Sequence, residues 1–388
     1  MTPVADTRSG APAAYLGAFA VMGMAAMLLG PSIAGLHRAT GLSEARLGLL
    51  FSASSLGYLT GLVAAGALIA RADGHTVLAS GILTMGAAVV AVPHCHGLAA
   101  LCIAELVLGF GIGVIEIPCN SLILWTVGGG ALLNALHACW ALGAVLAPLL
   151  VGRSIAWTGG LSGAYVIVAA CGFVPLLLLR NRVAPPNPHV EIGRGIPSEA
   201  RGRVALVACF YFANIATEAT FAGWIYRYGE LRDISTATAI YLGAAFLGAF
   251  AVGRMIGIVV ARSVAPFPTL LADHAVSFAA VAVLLLAPNA PAAIWIGTVL
   301  FGLGMASMFA NMLGMSEPLV PSTGTVTSLY LVGSSLGGIV VTGSMGALLD
   351  RYGAVALPVV AAIGTLATLA IVAALELSAR RRGPLRSS

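Results

Sequence analysis

Glu105-Leu-Val-Leu-Gly-Phe-Gly-Ile-Gly-Val-Ile-Glu-Ile-Pro-Cys-Asn120 lies inside a long apolar run, where a carboxylate is costly. At about 100° per residue, Glu105, Gly109, Gly113, Glu116 and Asn120 share one side of a helix. That face carries two acids, an amide and a column of glycines, while the rest of the helix is apolar. Lipid does not tolerate such a face, so it must look into protein or water. Glu116 is the candidate chemical centre of the chain.

The surroundings of this helix are equally apolar. Of 388 residues, 59% are hydrophobic and only 9% charged, and the mean hydropathy is +1.00. A soluble protein of this length needs a larger charged surface. Repeated apolar stretches of about 20 residues fit membrane spans, whereas the short alternating segments of an outer-membrane barrel are missing. The chain reads as an all-α integral membrane protein. Its net charge of +5 comes from arginine alone, since the sequence holds no lysine. Those arginines sit in loops, which points to membrane orientation rather than to nucleic acid. The cysteines (Cys95, Cys102, Cys119, Cys139, Cys171, Cys209) show neither metal-ligand nor disulfide-framework spacing, and most of them read as small buried hydrophobes. The N-terminus is polar through Gly10 and then enters a full-length span, so no cleavable signal peptide is expected.

Apolar segments punctuated by Gly, Pro, His and Arg predict about twelve spans. They fall at 13–36, 47–70, 76–95, 98–124, 132–152 and 162–180, then at 204–227, 238–261, 268–287, 292–315, 325–348 and 354–377. This divides the chain into an N-terminal bundle (1–180), a linker (181–203) and a C-terminal bundle with a basic tail (204–388). The linker is non-helical in character, with Pro185, Pro186, Pro188, Gly193, Gly195 and Pro197 among Arg182, Arg194, Arg201 and Arg203. The tail carries Arg380, Arg381, Arg382 and Arg386. With linker and both termini cytoplasmic, about twelve arginines lie inside and about six outside, as the positive-inside rule prefers. The expected location is therefore the cell membrane.

The two halves repeat. Shifted by about 191–194 residues, Phe110-Gly-Ile-Gly113 falls on Phe301-Gly-Leu-Gly304 and Asn120 on Asn311. Leu56-Gly57 falls on Leu247-Gly248, Gly66 on Gly257, Arg71 on Arg262, Leu142-Gly143 on Leu336-Gly337 and Gly152 on Gly346. One glycine match means little in so glycine-rich a chain, but the joint register with a linker midway means more. Two pseudo-symmetric six-helix bundles in a parallel repeat resemble the major facilitator architecture, which implies a site near mid-membrane between the halves.

Two segments narrow the resemblance. Gly109-Phe-Gly-Ile-Gly-Val-Ile-Glu-Ile-Pro-Cys-Asn120 resembles the fourth helix of the fucose–galactose–proton symporter type and the related sodium-dependent glucose transporter-like branch. Asn134-Ala-Leu-His-Ala-Cys-Trp-Ala-Leu-Gly-Ala-Val-Leu-Ala-Pro148 resembles the fifth helix of those proteins. The resemblance implies a secondary transporter, not an enzyme, that couples an ion to a sugar. Two departures stand out. Residues 13–36 contain no acid, although fucose-type members pair the fourth-helix acid with one on the first helix. The superfamily loop Gly-x-Leu-x-Asp-Arg-x-Gly here reads Gly66-Ala-Leu-Ile-Ala-Arg71-Ala-Asp73-Gly74, so Arg71 and Asp73 are left as the gating charges of that latch.

The remaining candidates follow from depth and residue type. A mid-membrane acid costs about 3 kcal/mol on insertion scales, a cost that taking up a proton removes. Glu116 is thus the expected ion-coupling acid, its alternative a structural pair. Asn120, one turn on, is expected to bond either Glu116 or a substrate hydroxyl. Glu105, about 16 Å along the helix, is read as a vestibule residue or a solvated interfacial acid. Glu218, with Asn214 one turn before it, is a second coupling or binding candidate, the alternative being a pair with Arg254. Arg254 is expected to snorkel or to pair with Asp273. Asn134, His137 and Trp140 combine amide, imidazole and an aromatic plate as sugar sites do, against an alternative of core packing. Trp224 and Tyr226 face a cavity only if the helix bends near Gly223, and otherwise anchor at the interface. Asn311 mirrors Asn120, while Ser307 stands where Glu116 would be, so the second half keeps the amide and lacks the acid.

The other histidines (His37, His75, His94, His96, His189, His274) are expected at loops or helix ends. No Walker motif, nucleophile triad or metalloprotease signature occurs, so no cofactor or metal is expected. The leading expectation is a proton-coupled symporter for a small polyhydroxylated solute, with sodium as the alternative ion. The expected partners are that solute and the bilayer, and the chain is expected to work as a monomer. An amphiphile exporter and a non-transporting sensor on the same fold are the competing readings.

Overall fold

The computed structural model describes residues 11–126, 129–186, 198–320 and 324–382. Pro188, His189, Gly193, Arg194, Gly195 and Pro197 of the linker and Arg386 of the tail lie outside them, as do the side chains of Arg380, Arg381 and Arg382.

The described chain is helical almost throughout, because in hydrocarbon every backbone N–H and C=O must be satisfied within the segment. In order the helices are α1 (Pro12–Ala26), α2 (Leu29–Thr40), α3 (Glu44–Ile69), α4 (Gly74–Ala91), α5 (Leu98–Leu124), α6 (Gly129–Thr158), α7 (Ser162–Cys171) and α8 (Phe173–Leu179). Then come α9 (Ser198–Glu230), α10 (Thr236–Val260), α11 (Pro266–Leu286), α12 (Pro291–Met305), α13 (Met308–Ser316), α14 (Gly324–Gly337), α15 (Gly343–Tyr352) and α16 (Ala356–Arg382). Proline opens α1, α11 and α12, where its missing N–H costs nothing. Ser43 caps α3 and Asp73 caps α4, each accepting from the backbone N–H three residues on. Gly41, at φ 69°, closes α2 in the left-handed conformation.

Ten stretches are long and apolar enough to cross a membrane, and α1 with α2, bent by 40° at their junction, make an eleventh. One of the ten, Val326–Ser378, has 53 residues. As a single helix it would reach about 80 Å, more than twice a bilayer. Gly353 breaks it at φ 68°. Gly333 and Gly337 on one side of that break, and Gly364 on the other, press against the same part of α9, between Ala208 and Thr217. The chain therefore doubles back, and the stretch is two spans, giving twelve among the described residues.

The chain divides into two compact units: Met1–Val190 with Ser235–Ala244, and Glu191–Ile234 with Ala245–Ser388. The start of α10 thus groups with the N-terminal unit, where Ile240 covers Gly152. Within that unit α3 and α5 pack at backbone distance. A Cβ at Gly57 or Gly61 would overlap the carbonyls of Leu106 or Phe110, and one at Gly109 or Gly113 those of Ser54 or Tyr58. Small residues on both helices let the backbones meet, which is how membrane helices associate without a hydrophobic drive between them. Ala65, Val77 and Val114, with Phe110 and Ile117 against them, fill the space among α3, α4 and α5. In the C-terminal unit Phe221, Phe246 and Phe301 form the corresponding apolar centre, with Phe221 and Phe301 ring centroids 4.4 Å apart.

Candidate functional site

The glycine seam between α3 and α5 sets the geometry of Glu116. Because the two backbones touch, Tyr58 on α3 reaches across, and its hydroxyl donates to Glu116 Oε2 at 2.7 Å. A hydrogen bond to a charged group is worth about 1.5–3 kcal/mol, so Tyr58 fixes where the carboxyl points. Glu116 remains half-buried, and no ion pair to it occurs among the described residues. The acid is thus oriented by a neutral donor rather than neutralised by a cation. Asn120 does not reach the carboxylate; its Nδ2 donates to the Glu116 backbone carbonyl at 2.9 Å. Its amide oxygen makes no hydrogen bond among the described residues.

Glu105 is not the solvated or vestibule residue expected from its position. It is 1% exposed, and neither carboxylate oxygen has a hydrogen-bond partner. It is sealed into the α3–α5 seam near the Ser54 hydroxyl, because Gly109 one turn on draws α3 in over it. On α6, Asn134 and His137 are exposed on the surface of the unit and Trp140 is half-buried. His137 meets Phe19 edge-on at 5.5 Å. The Trp140 backbone carbonyl lies against Gly23 of α1, as Gly143 lies against the Ala20 carbonyl. The amide and imidazole thus project from a helix anchored to α1 by glycine contacts.

On α9, Asn214 is fully buried with both amide atoms unpartnered, and Glu218, one turn on, has Oε2 buried and unpartnered. Arg254 on α10 is the charge facing Glu218, yet no ion pair joins them among the described residues. The guanidinium instead lies 4.6 Å above the Phe250 ring. The expected Arg254–Asp273 pair is absent as well. Asp273 Oδ2 accepts from Ser307 Oγ at 2.6 Å and from Asn311 Nδ2 at 3.3 Å. This corrects the reading of an acid missing from the second half. Ser307 and Asn311 occupy the positions repeating Glu116 and Asn120, and the acid arrives from the neighbouring helix α11. Asn311 is consequently committed inside its unit, with its Nδ2 also 2.9 Å from Ser307 Oγ.

Trp224 and Tyr226 are corrected too. α9 runs unbroken from Ser198 to Glu230, so no bend at Gly223 turns them outward. Trp224 is 0% exposed and its Nε1–H donates to the Thr342 carbonyl at 3.0 Å, at the end of the π-helical turn Gly338–Thr342. It braces that turn and offers a substrate nothing. Tyr226 is likewise buried. Arg71 is exposed, and Asp73 spends its carboxylate on Thr76, accepting from N at 2.9 Å and Oγ1 at 3.1 Å. Asp73 is therefore a helix cap rather than a partner of Arg71. His75 stands at the start of α4, a helix end as expected, and is buried, linking the Tyr15 hydroxyl to the Arg182 carbonyl, whereas His274 lies inside α11 and links the Leu270 carbonyl to Thr368. Among the described residues no three His, Cys, Asp or Glu side chains group as metal ligands.

Sequence reasoning missed Tyr58 and the role of Ser307. The signal for Tyr58 was present: it is the one aromatic hydroxyl between Gly57 and Gly61, on the face that glycine spacing turns toward α5.

Twelve spans, two units and a half-buried acid in the fourth span define a multi-pass membrane transporter of the major facilitator kind. The Major Facilitator Superfamily model matches residues 15–342, and the chain belongs to that family. It is 25% identical over 382 residues to sodium-dependent glucose transporter 1A of Mus musculus, covering 88% of this chain and 89% of that protein. Among solved structures it is similar to a D-xylose–proton symporter, with a TM-score of 0.75 at 14% identity over 93% of this chain and 96% of the other. A nucleoside transporter gives the same TM-score of 0.75 at 11% identity, over 94% of this chain and 98% of the other.

Proposed function

We propose that the chain is a proton-coupled symporter of a monosaccharide or similarly polyhydroxylated solute, working by alternating access. The observation that carries this is the Tyr58–Glu116 bond of 2.7 Å, which holds a half-buried acid with no cationic partner. An acid so held can bind and release a proton as its surroundings change. A sodium ion needs several oxygen ligands, and the one side chain bonded to this carboxyl is a phenol. The name of the mouse relative supports a sugar as the solute and raises sodium as the rival ion.

Asn120 and the exposed Asn134 and His137, with Trp140 behind them, supply hydrogen bonds and an aromatic plate from the N-terminal unit. Asn214, both of whose amide atoms lack partners, and Glu218, whose Oε2 does, are the polar candidates of the C-terminal unit. We place these in a chain of two six-helix bundles with a cytoplasmic linker, both termini in the cytoplasm of a cell whose membrane the monomer spans. The test is uptake into proteoliposomes of a panel of monosaccharides under an imposed pH gradient, a sodium gradient or neither. Accumulation driven by the pH gradient alone is expected. Accumulation that follows sodium, or efflux of amphiphiles with no sugar uptake, overturns the proposal.

A further inference from the structure

The break in the tenth span carries the inference. α12 ends at Met305 and α13 begins at Met308, so a membrane helix is interrupted at Ala306 and Ser307. Irregular backbone at membrane depth persists only where protein or a lined cavity satisfies it. Here protein packs around the break, and the polar side chains beside it turn to Asp273. Asp273 stands seven residues, about 10 Å, into α11, and its Oδ2 gathers the Ser307 hydroxyl and the Asn311 amide at 2.6 and 3.3 Å. Ser307 stands at the N-cap position of α13 but gives its hydroxyl to Asp273 instead of to a backbone cap, so the carboxylate is tied to the residue that starts that half-helix.

Every neighbour of this acid is neutral or already engaged. From α12, Gly304 lies against Asp273's own backbone, and from α10, Gly253 and Gly257 cover Ala306 and Ser307. Arg254, between those glycines, is turned onto Phe250. His274, next along α11, faces away and has both ring nitrogens engaged, by the Leu270 carbonyl and by Thr368 of α16. Asp273 is thus an acid inside a span, oriented by a hydroxyl and an amide and unpaired with any cation among the described residues. That is the arrangement of Glu116 with Tyr58, rebuilt at the repeating positions of the second unit from a different helix.

We propose that Asp273 is a second proton-binding site of the transporter, belonging to the C-terminal unit and separate from Glu116. Its protonation exchanges an acceptor for a donor at Oδ1 or Oδ2 and loosens its hold on Ser307 and Asn311, so a proton bound there is read by the break between α12 and α13. The inference rests on the proton-coupled reading, but its test needs no substrate.

Purified full-length protein is compared by infrared difference spectroscopy between acidic and neutral buffer, where a titrating carboxylic acid gives its own C=O stretch. Wild type is expected to show one band that Glu116→Gln removes and another that Asp273→Asn removes. Asparagine keeps an acceptor for Ser307 and Asn311, so the variant is expected to fold, as thermal unfolding verifies. Ser307→Ala keeps the acid but deletes its shortest bond, and should move the pH at which the Asp273 band appears. The inference fails if Asp273→Asn leaves every band in place, if the band is unmoved in Ser307→Ala, or if sodium rather than acid governs it.

Discussion

Replacing Gly113 with alanine adds one methyl group at the point where α5 touches α3. That methyl would overlap the Tyr58 carbonyl oxygen and lie 2.7 Å from Leu62 N and 3.0 Å from Gly61 C. All three are backbone atoms, which cannot rotate aside as a side chain can. Restoring ordinary contact requires the helices to part by about 1 Å, and a gap of that size forfeits up to about half of each dispersion contact along the seam. Overpacking of this kind costs about 1–3 kcal/mol. Gly86, on α4, has open space where a Cβ would go and serves as the matched control. Alanine gains about 1 kcal/mol of helix propensity over glycine at either position, so the difference between the variants isolates the clash. Thermal unfolding in detergent should therefore rank Gly86→Ala at or above wild type and Gly113→Ala clearly below. The same 1 Å parting lengthens the 2.7 Å Tyr58–Glu116 bond beyond hydrogen-bonding range. Gly113→Ala should accordingly lose gradient-driven uptake even where it folds. Equal unfolding midpoints for the two variants would refute the account of the seam.

Two further outcomes separate structural from functional side chains. Trp224→Phe removes the Nε1–H bond to Thr342 and should lower stability by about 0.5–1.5 kcal/mol while leaving the half-saturation for solute unchanged, since the indole is fully buried. Asp73→Ala removes the cap of α4 and should cost about 0.5–2 kcal/mol in unfolding measurements. Its uptake per protein should match wild type, and a loss of coupling there would restore the gating role expected from the loop.

The spans were legible because each must be long and apolar whatever it packs against, and the repeat because glycines mark backbone contacts in both halves. The face of Glu116 was legible for a related reason: one helix's periodicity says which of its residues look the same way. What periodicity does not contain is the partner across the gap. Tyr58 and Asp273 each lie on a different helix from the residues they serve, and their pairing depends on how closely two backbones approach. Glu105 was misjudged on that account. Its position along the helix suggested solvent, and the neighbouring glycine that brings α3 over it decided otherwise. Trp224 was misjudged because its role is set by the π-helical turn of Gly338–Thr342, which no pattern in α9 announces.

The most direct measurement compares two modes of transport in one Glu116→Gln preparation. Glutamine keeps an acceptor for the Tyr58 hydroxyl but cannot release a proton in the transport cycle. In proteoliposomes the account predicts that this variant no longer accumulates solute against its gradient when a pH gradient is imposed, while exchange of labelled for unlabelled solute continues. Accumulation at the wild-type level in Glu116→Gln would contradict it.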